Sequence, residues 1–335
     1  MKLFKLLPLL AVASLSACSM YKYYSDTLFA FDSLVSFKVK AFRGYNGISI
    51  SNNIYKTLEE ISLIANAYDK NDNYVSIYDL NHTSEKIEIS EILYDLLQTA
   101  FETQISAGYY TPFIGSLSDL WKESLAKNEV PSQERIDEEL QKIHDSSVTL
   151  EQNEEGFFAQ RIGEATIDLG AIAKGYALDR CLEFLNSCAM TDYIVDAGSS
   201  SILLGVNSAK SNTYKVSDPN VGTYNVNIRY LDKTIKCREC FVSTSGIFEQ
   251  NTKIGDVTYS HIINPETGMA IANYDEIILI NDASYGNGAL GDALATSLML
   301  SSLDEIKEAE TRFGVKAIVI LDNNILYQNE GLTVY

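Results

Sequence analysis

Apolar positions recur at regular spacings along most of the chain and predict strands and amphipathic helices in turn. Residues 31–39 (FDSLVSFKV) alternate between apolar and polar side chains, as a half-buried strand does. Residues 54–68 carry apolar side chains at helical spacing, and residues 90–107 repeat that spacing until Gly108 stops the helix. The ordered chain is therefore expected to begin with a strand and two helices.

The rest of the chain alternates between short strands and helices, without a low-complexity linker or a short repeat. Turn-rich runs such as residues 217–220 separate strands in the middle of the chain. The predicted elements are a charged helix over 131–143, a hairpin over 148–162, strands near 193–196, 202–206, 224–230, 234–237 and 275–280, a helix over 290–300, a helix opened by a capping box at 302–305, and two C-terminal strands. This order indicates that the middle of the chain is mostly antiparallel sheet.

The N-terminus has the pattern of a lipoprotein signal. Lys2 and Lys5 precede an apolar stretch over residues 6–12, and Leu-Ser-Ala at 15–17 leads into Cys18. The stretch is too short to span a bilayer as a helix, so we expect cleavage before Cys18 and acylation of that residue. An ordinary signal peptide with a coincidental cysteine is the alternative.

This interpretation divides the chain into a signal peptide (1–17), a lipidated N-terminus and tether (18–30) and a folded domain (31–335). The tether is assigned because residues 19–30 are polar and aromatic with no clear period. No later segment is long and apolar enough to span a membrane. The domain is therefore expected in the cell envelope, lipid-anchored on the periplasmic or extracytoplasmic side of a membrane.

The charge of the chain excludes one class of partner. Asp and Glu number 45 against 26 Lys and Arg, which gives a formal net charge of −19. Nucleic acid is therefore not expected as a partner. A pyrophosphate ligand would need a metal ion or a helix dipole to offset this charge locally.

The cysteines leave one question open. Cys181 and Cys188 lie on one predicted helix, too far apart to bridge, and are expected in the core. Cys237 and Cys240 predict either a small disulfide in an oxidising compartment or two unpaired thiols in a hairpin.

Residues 166–179 (TIDLGAIAKGYALD) carry the strongest functional signal. The pattern predicts a short strand ending at Asp168, a tight turn at Gly170 and a helix that begins at Ala171, with Lys174 in its first turn. Free N–H groups and the positive end of the helix dipole make such a corner favourable for phosphate oxygens. A buried α/β corner without a ligand is the alternative.

Three further clusters lie in the C-terminal half. Residues 196–201 (DAGSSS) and 243–246 (STSG) combine small residues and hydroxyls, which suit close approach of a ligand but also form ordinary turns. In YSHIINPETG (259–268), His261 ends a predicted strand just ahead of an Asn-Pro-x-x-Gly turn. A histidine placed there either transfers protons or bonds the loop backbone.

The last cluster is DALATS, over residues 292–297. Asp292 and Thr296 are four residues apart on a predicted helix, so both side chains project from the same face. A carboxylate and a hydroxyl suit Mg²⁺, which prefers oxygen ligands and often shares its shell with substrate phosphates. A helix-capping carboxylate beside a core threonine is the alternative.

Taken together, these motifs resemble the ApbE family of FAD:protein FMN transferases. DLGAIAKGYALD, the Asp-Ala-Gly turn, STSG, YSHIINPETG and DALATS occur in the family's order, and the resemblance covers nearly all of the chain from Phe31 onward. It implies an α+β fold related to the tunnelling fold, with mixed and antiparallel sheets packed with helices. It also implies FAD as substrate, Mg²⁺ as cofactor, and transfer of FMN through a phosphoester to a threonine or serine of an exported flavoprotein, with release of AMP.

The resemblance also implies roles for individual residues. It places the metal at Asp292, Thr296 and the carbonyl of Ala171. The implied FAD contacts are Phe31, Tyr109, Tyr110, Thr111, Asp168, Lys174 and Ile262. His261 is the candidate base for the acceptor hydroxyl, because the ordinary pKa of histidine lies near neutrality.

The chain departs from the family pattern at several of these positions. Thr111 stands where the family has aspartate, Phe31 where many members have methionine, and Ser199 and Ser200 where a second glycine and a polar residue are common. Two other functions compete. One is an FAD pyrophosphatase that yields FMN and AMP, and the other is a flavin-binding lipoprotein without catalysis. The expected acceptor is a redox-pump or electron-transfer subunit.

Overall fold

The structure, a computed structural model, describes residues 20–206, 223–228, 231, 233–248, 250–283 and 286–335. The predicted signal peptide, the predicted lipidation residue Cys18 and the predicted turn at 217–220 lie outside these residues. No helix in the described part of the chain is long and apolar enough to cross a membrane.

The strands are short, and all of their pairings are antiparallel. They are β1 Tyr21–Ala30, β2 Ser33–Phe42, β3 Ile87–Ile89, β4 Ser147–Asn153, β5 Gly156–Ile162, β6 Tyr193–Ala197, β7 Ser201–Leu204, β8 Tyr224–Ile228, β9 Lys233–Cys237, β10 Cys240–Gly246, β11 Asn251–Ile254, β12 Val257–Ser260, β13 Glu276–Asp282, β14 Lys316–Leu321 and β15 Asn324–Gln328.

The helices are α1 Tyr45–Ile64, α2 Ile77–Asn81, α3 Glu91–Ser106, α4 Gly115–Ala126, α5 Gln133–Asp145, α6 Ala173–Ser187, α7 Gly288–Leu298 and α8 Leu303–Phe313, with a 3-10 turn over Pro112–Ile114. Ser90, Ser132 and Ser302 cap α3, α5 and α8 by accepting a backbone N–H three residues on. These three helices and the hairpin of β4 and β5 confirm their predictions, because each depends on local signals.

One eight-stranded sheet organises the chain, in the order β1-β2-β6-β7-β10-β13-β14-β15. Helices α1, α6 and α7 pack on one of its faces and form the main apolar core. The hairpin of β8 and β9 covers part of the other face and forms a second core. A disulfide joins Cys237 to Cys240 between β9 and β10. The sequence left a disulfide and two unpaired thiols as alternatives, and the structure has the disulfide.

The predicted tether is wrong over residues 21–30. This segment is the edge strand β1, which pairs with β2 along its whole length. The sequence hides the strand because only Tyr24, Leu28 and Ala30 of β1 are buried, which is too few for a clear alternation. The predicted strand over 31–39 begins later, because Phe31 and Asp32 form the connecting turn with φ values of 52° and 53°.

Three other boundaries differ from the predictions. Helix α1 begins at Tyr45 and ends at Ile64, whereas the apolar pattern predicted a helix over residues 54–68. Residues 166–168 form an extended segment instead of a strand; the side chain of Asn81 bonds both the N–H and the carbonyl of Ile167, as a neighbouring strand would. Helix α6 begins at Ala173, two residues later than expected.

Helices α6 and α7 cross in close contact at two glycines. A Cβ on Gly175 would lie 2.1 Å from the carbonyl oxygen of Gly288, so only hydrogen fits there. Each of the two helices also places a carboxylate at the N-terminus of the other. Asp179 of α6 accepts the N–H groups of Gly288 and Ala289 at 2.7 and 2.8 Å, while Asp292 of α7 accepts the N–H of Gly175 at 2.7 Å. Each carboxylate thus faces the positive end of the other helix.

We expect Gly175→Ala to destabilise the fold by about 3 kcal/mol or more, because the new methyl group meets backbone atoms that have no room to move. The measurement is the free energy of unfolding in urea. Gly255→Ala is the control: its φ is +62° but no atom lies within 4 Å of the new Cβ, so it should cost only about 1–2 kcal/mol. Equal losses in the two variants would contradict the importance of the crossing.

Candidate active site

Asp292 is buried at the crossing with one oxygen satisfied and one not. Oδ2 accepts the N–H of Gly175 and the hydroxyl of Ser201, each at 2.7 Å. Oδ1 has no hydrogen-bond partner among the described residues, and the whole residue is only 9% exposed. Burial raises the pKa of Asp292 to about 6, although the nearby hydroxyls of Ser243 and Ser201 and the charge of Lys174 oppose the rise.

A set of hydroxyls lies beneath α7. Ser201 of β7 and Ser243 of β10 face each other across the strands, and both are buried. Ser245, two residues further along β10, lies 3.0 Å from the hydroxyl of Thr296. Gly291 lets the helix come this close, since a Cβ there would lie 2.8 Å from Oγ of Ser243. The STSG motif therefore serves the site through its serine hydroxyls.

The carbonyl of Ala171 lies just before α6, whose first helical bond runs from the N–H of Tyr176 to the carbonyl of Ile172. The N–H of Gly175 is one of the free N–H groups of the first turn, and it donates to Asp292. No hydrogen bond to the Ala171 carbonyl is found within the described part of the chain. The carbonyl oxygen is therefore available to a ligand, four residues before the N–H that binds Asp292.

These oxygens fit a hard cation whose shell is completed by a ligand. The unpartnered Oδ1 of Asp292, the hydroxyl of Thr296 and the Ala171 carbonyl are the oxygen types that Mg²⁺ prefers. The described residues contain no group of three or more His, Cys, Asp or Glu side chains that would hold a metal without help. A cation held here would need further oxygens, which a pyrophosphate supplies.

Lys174 connects this cluster to the end of the sheet. Its Nζ donates to Oγ of Ser200 at 2.9 Å, and its charge lowers the pKa of Asp292. The turn that contains Ser200 packs against the β1–β2 hairpin, since a Cβ on Gly198 would lie 2.5 Å from Oγ of Ser33. Phe31 lies in that hairpin turn, is partly buried and donates its N–H to Ser62.

Asp168 lies at the start of the same corner. Its Oδ1 accepts the N–H of Gly170 at 2.7 Å, and its Oδ2 accepts the hydroxyl of Tyr68. Lys122 donates to that tyrosine oxygen at 2.7 Å, with its ammonium group 4.3 Å from the ring centre. Burial and the charge of Asp168 raise the pKa of Tyr68 above its ordinary value. Asp168 is thus held in place by a tyrosine that the sequence analysis did not identify.

The segment over 109–111 lies between Asp168 and α7. Tyr109 donates its N–H to Oγ of Ser297, the neighbour of Thr296. The hydroxyl of Tyr110 is buried without a partner in the described structure, and burial together with the charge of Asp168 raises its pKa. Thr111 is buried, and its hydroxyl already accepts from Phe113 and Gln104. Thr111 therefore caps the 3-10 turn, a role that accounts for a hydroxyl at this position.

His261 and Ile262 follow β12 in a braced loop. Trp121 stacks on Tyr259 with ring centres 5.3 Å apart and donates its indole N–H to the carbonyl of Gly268. Ile262 is buried in the main core. His261 is exposed, and both its N–H and its Nδ1 lie within hydrogen-bonding distance of the carbonyl of Gln250. The loop thus holds its histidine at the surface.

The structure brings several of the predicted residues together in two groups. Asp292, Thr296 and Lys174 form one, with Ala171 just before α6, and Asp168 with Tyr110 forms the other. The described hydrogen bonds of His261 lead to Gln250 and do not place it in either group. Ser201, Ser243 and Ser245 belong to the DAGSSS and STSG clusters of the sequence analysis, which gave them no individual role. The residues that it missed are Tyr68 and Asp179. Asp179 is the last residue of the DLGAIAKGYALD motif. It lies four residues after Gly175 on the same helix face, and this spacing could have identified it.

The carboxylates of Asp179 and Asp292 should make the cation-free fold less stable as the pH rises. Burial raises the pKa of Asp292 to about 6 and that of Asp179 to about 7, so the stability that each group contributes is present in acid and lost as the pH rises through these values. We expect Asp292→Asn to raise the free energy of unfolding at pH 8 by on the order of 2 kcal/mol and to change it little at pH 4. Urea titrations with a chelator measure this, with the exposed Glu154→Gln as control. A loss of stability at pH 8 would contradict it.

Comparisons with known proteins agree with this architecture. The sequence pattern of the ApbE family matches residues 31–319. An FAD:protein FMN transferase of Treponema pallidum (strain Nichols) is 25% identical over 293 residues, which cover 83% of this chain and 79% of the relative. An FAD:protein FMN transferase of Vibrio cholerae serotype O1 is 26% identical over 255 residues, which cover 75% and 73%.

Solved structures show the same fold. The crystal structure of the apbe protein from Thermotoga maritima MSB8 superposes with a TM-score of 0.71 at 23% identity, over 92% of this chain and 97% of that one. The flavin transferase ApbE from Vibrio cholerae gives a TM-score of 0.67 at 20% identity, over 94% and 97%. These likenesses confirm the α+β fold that the sequence predicted.

Proposed function

The chain belongs to the ApbE family, and from this premise we propose that it is an FAD:protein FMN transferase. Its substrate would be FAD, and its product a threonine or serine of an exported flavoprotein that carries FMN through a phosphoester. AMP would be the leaving group. The names of the relatives in Treponema pallidum and Vibrio cholerae support this proposal.

One observation carries the proposed chemistry. An oxygen of the buried Asp292 carboxylate has no hydrogen-bond partner among the described residues, while the other oxygen bonds the first turn of α6, just after Ala171. Asp292, Thr296 and Ala171 would hold Mg²⁺ there. When bound, the ion would neutralise charge on the bridging phosphates of FAD.

The residues of the corner have distinct roles in this proposal. Lys174, in the first turn of α6, would add positive charge beside the phosphates in a chain that is otherwise strongly acidic. Asp168, fixed by Tyr68 and the N–H of Gly170, would orient the FAD. Phe31, Tyr109, Tyr110 and Ile262 would line the flavin pocket, while Thr111 would shape it by capping the segment next to them.

The transfer needs one bond made and one broken. The acceptor hydroxyl oxygen would bond to the phosphorus on the FMN side, and the bond from that phosphorus to the bridging oxygen would break, so that AMP leaves with the electron pair. The proton of the hydroxyl would go to His261, which is exposed and therefore accessible to a protein acceptor. Positioning and electrostatics would supply the rest of the rate.

The N-terminal sequence supports a proposal for the location of the enzyme. We propose that Cys18 is acylated and anchors the domain to a membrane of the cell envelope, on the extracytoplasmic side. The bridge between Cys237 and Cys240 supports an oxidising compartment. The acceptor would then be an exported redox-pump or electron-transfer subunit that meets the enzyme at this surface.

We expect Asp292→Asn to lower FMN transfer by at least about 100-fold while the fold remains stable. The assay incubates the protein with FAD, Mg²⁺ and an acceptor flavoprotein and measures flavin fluorescence on the acceptor in a denaturing gel. Glu154→Gln, an exposed carboxylate in the β4–β5 turn, is the matched control and should retain full activity. Undiminished labelling by Asp292→Asn would refute the metal assignment, and free FMN without labelled acceptor would favour the pyrophosphatase.

We expect His261→Asn to lower kcat by roughly 100-fold or more with little change in the KM for FAD, because the lost group acts on the acceptor proton. Asparagine keeps a polar side chain at this position but does not titrate. The kinetics are measured at saturating acceptor between pH 6 and 9. A raised KM for FAD with unchanged kcat would assign the histidine to FAD binding instead.

A further inference from the structure

Lys122 lies exposed on α4 and reaches a residue on another segment of the chain. Its Nζ donates to the hydroxyl oxygen of Tyr68 at 2.7 Å and lies 4.3 Å from the centre of that ring. The carboxylate of Asp119, three residues earlier on the helix, is 3.9 Å from Nζ, which is too far for a hydrogen bond. By contrast, Lys127 at the end of the same helix pairs with Glu123 at 2.6 Å. Lys122 is thus a surface lysine whose hydrogen bond leads away from its own helix.

The hydroxyl of Tyr68 connects Lys122 to Asp168. It accepts from Lys122 and donates its own proton to Oδ2 of Asp168. The other oxygen of that carboxylate, Oδ1, accepts the N–H of Gly170. No ion pair joins Lys122 directly to Asp168 in the part of the chain that the structure describes. The hydrogen-bonded route from the lysine to Asp168 therefore passes through the Tyr68 hydroxyl.

Backbone hydrogen bonds fix the start of α4 beside the segment that carries Asp168. The N–H of Asp168 donates to the carbonyl of Pro112 at 2.8 Å, and the N–H of Gly115 donates to the carbonyl of Thr166 at 3.0 Å. Helix α4 begins at Gly115, and Lys122 lies about two turns further along it. The helix therefore carries the ammonium group to a set position relative to Asp168.

Lys122 places its positive charge among carboxylates that act on Tyr68. Burial raises the pKa of Tyr68 above its ordinary value, and the charges of Asp168, Asp119 and Asp32 raise it further. The hydroxyl therefore stays protonated and keeps donating to Asp168. Burial also raises the pKa of Asp119, and the ammonium group of Lys122 opposes that rise. Because an ammonium group donates and cannot accept, a lysine at this position leaves the Tyr68 hydroxyl free to donate only towards Asp168.

We propose that Lys122 is a positioning residue, which holds the Tyr68 hydroxyl and through it the carboxylate of Asp168 in the orientation that binds FAD. This inference rests on the proposed function, because it takes Asp168 as a contact of FAD. Tyr68 is 47% exposed, so without the ammonium group its ring is free to turn towards solvent and release the carboxylate. FAD then binds to a group that must first be ordered, which weakens binding and leaves the bond-making step unchanged.

Titration of the full chain with FAD in the presence of Mg²⁺, followed by flavin fluorescence, tests the inference. Lys122→Met keeps the aliphatic stem but removes the donor, so we expect the Kd for FAD to rise about tenfold, while kcat for FMN transfer at saturating FAD changes less than about twofold. Lys122→Arg still donates to Tyr68 and should bring the Kd back to within about threefold of the wild-type value. Lys127→Met is the matched control, since the two lysine side chains are each 57% exposed, and it should leave the Kd unchanged.

A double-mutant cycle tests whether Lys122 acts through Tyr68. Tyr68→Phe removes the hydroxyl and should itself raise the Kd for FAD about tenfold, after which adding Lys122→Met should raise it no further. A further tenfold rise in the double variant would show that the lysine acts on FAD directly, and would overturn the proposal. Equal Kd values for Lys122→Met and Lys127→Met would overturn it as well.

Unfolding in urea without FAD separates positioning from a merely structural role. Lys122→Met should unfold at the wild-type urea concentration, because the side chain is exposed. A lowered midpoint with an unchanged Kd for FAD would make Lys122 a structural residue and contradict the proposal. Binding of FAD that depends on Lys122 without any labelled acceptor would count against the transferase function alone, whereas labelled acceptor without coupling between Lys122 and Tyr68 would count against this inference alone.

Discussion

The contact between α6 and α7 at Gly175 and Gly288 is the constraint on which the site depends. Two helices this close exclude side chains at the crossing and bring each N-terminus within reach of a carboxylate on the other helix. Asp179 satisfies two N–H groups of α7 with both of its oxygens. Asp292 uses only Oδ2 to bind α6, and its Oδ1 has no partner among the described residues. This second oxygen makes the contact between the helices a candidate ligand site.

The unpaired oxygen of Asp292 lowers the stability of the fold but can bind a cation. A buried carboxylate with a free oxygen is unfavourable without a counter-ion, as the raised pKa of Asp292 reflects. The carbonyl of Ala171, just before α6, also has no hydrogen bond within the described part of the chain. A cation bound by these oxygens would offset the cost of leaving the Asp292 oxygen unpaired. Lys174 and the dipole of α6 are the local positive groups in an acidic chain.

The β1–β2 hairpin connects this site with the N-terminus. Its turn at Phe31 packs beside the Gly198 turn, and its open end begins at Tyr21. Because β1 pairs with β2 along its whole length, the position of Tyr21 relative to the site is set by hydrogen-bonded sheet. A flexible tether over these residues would have left that position undefined.

The sequence by itself determined the elements and pairs that depend on near neighbours. Local spacing in the sequence accounts for the Ser90 cap of α3, the hairpin over 148–162 and the shared face of Asp292 and Thr296. Only the tertiary structure decided that β1 is a strand, because its order comes from pairing with β2 and not from its own alternation. It also decided that Gly175 donates the free N–H of its helix turn to Asp292, 117 residues away. Such a bond exists only once the sheet and both helices are packed, so no local pattern records it.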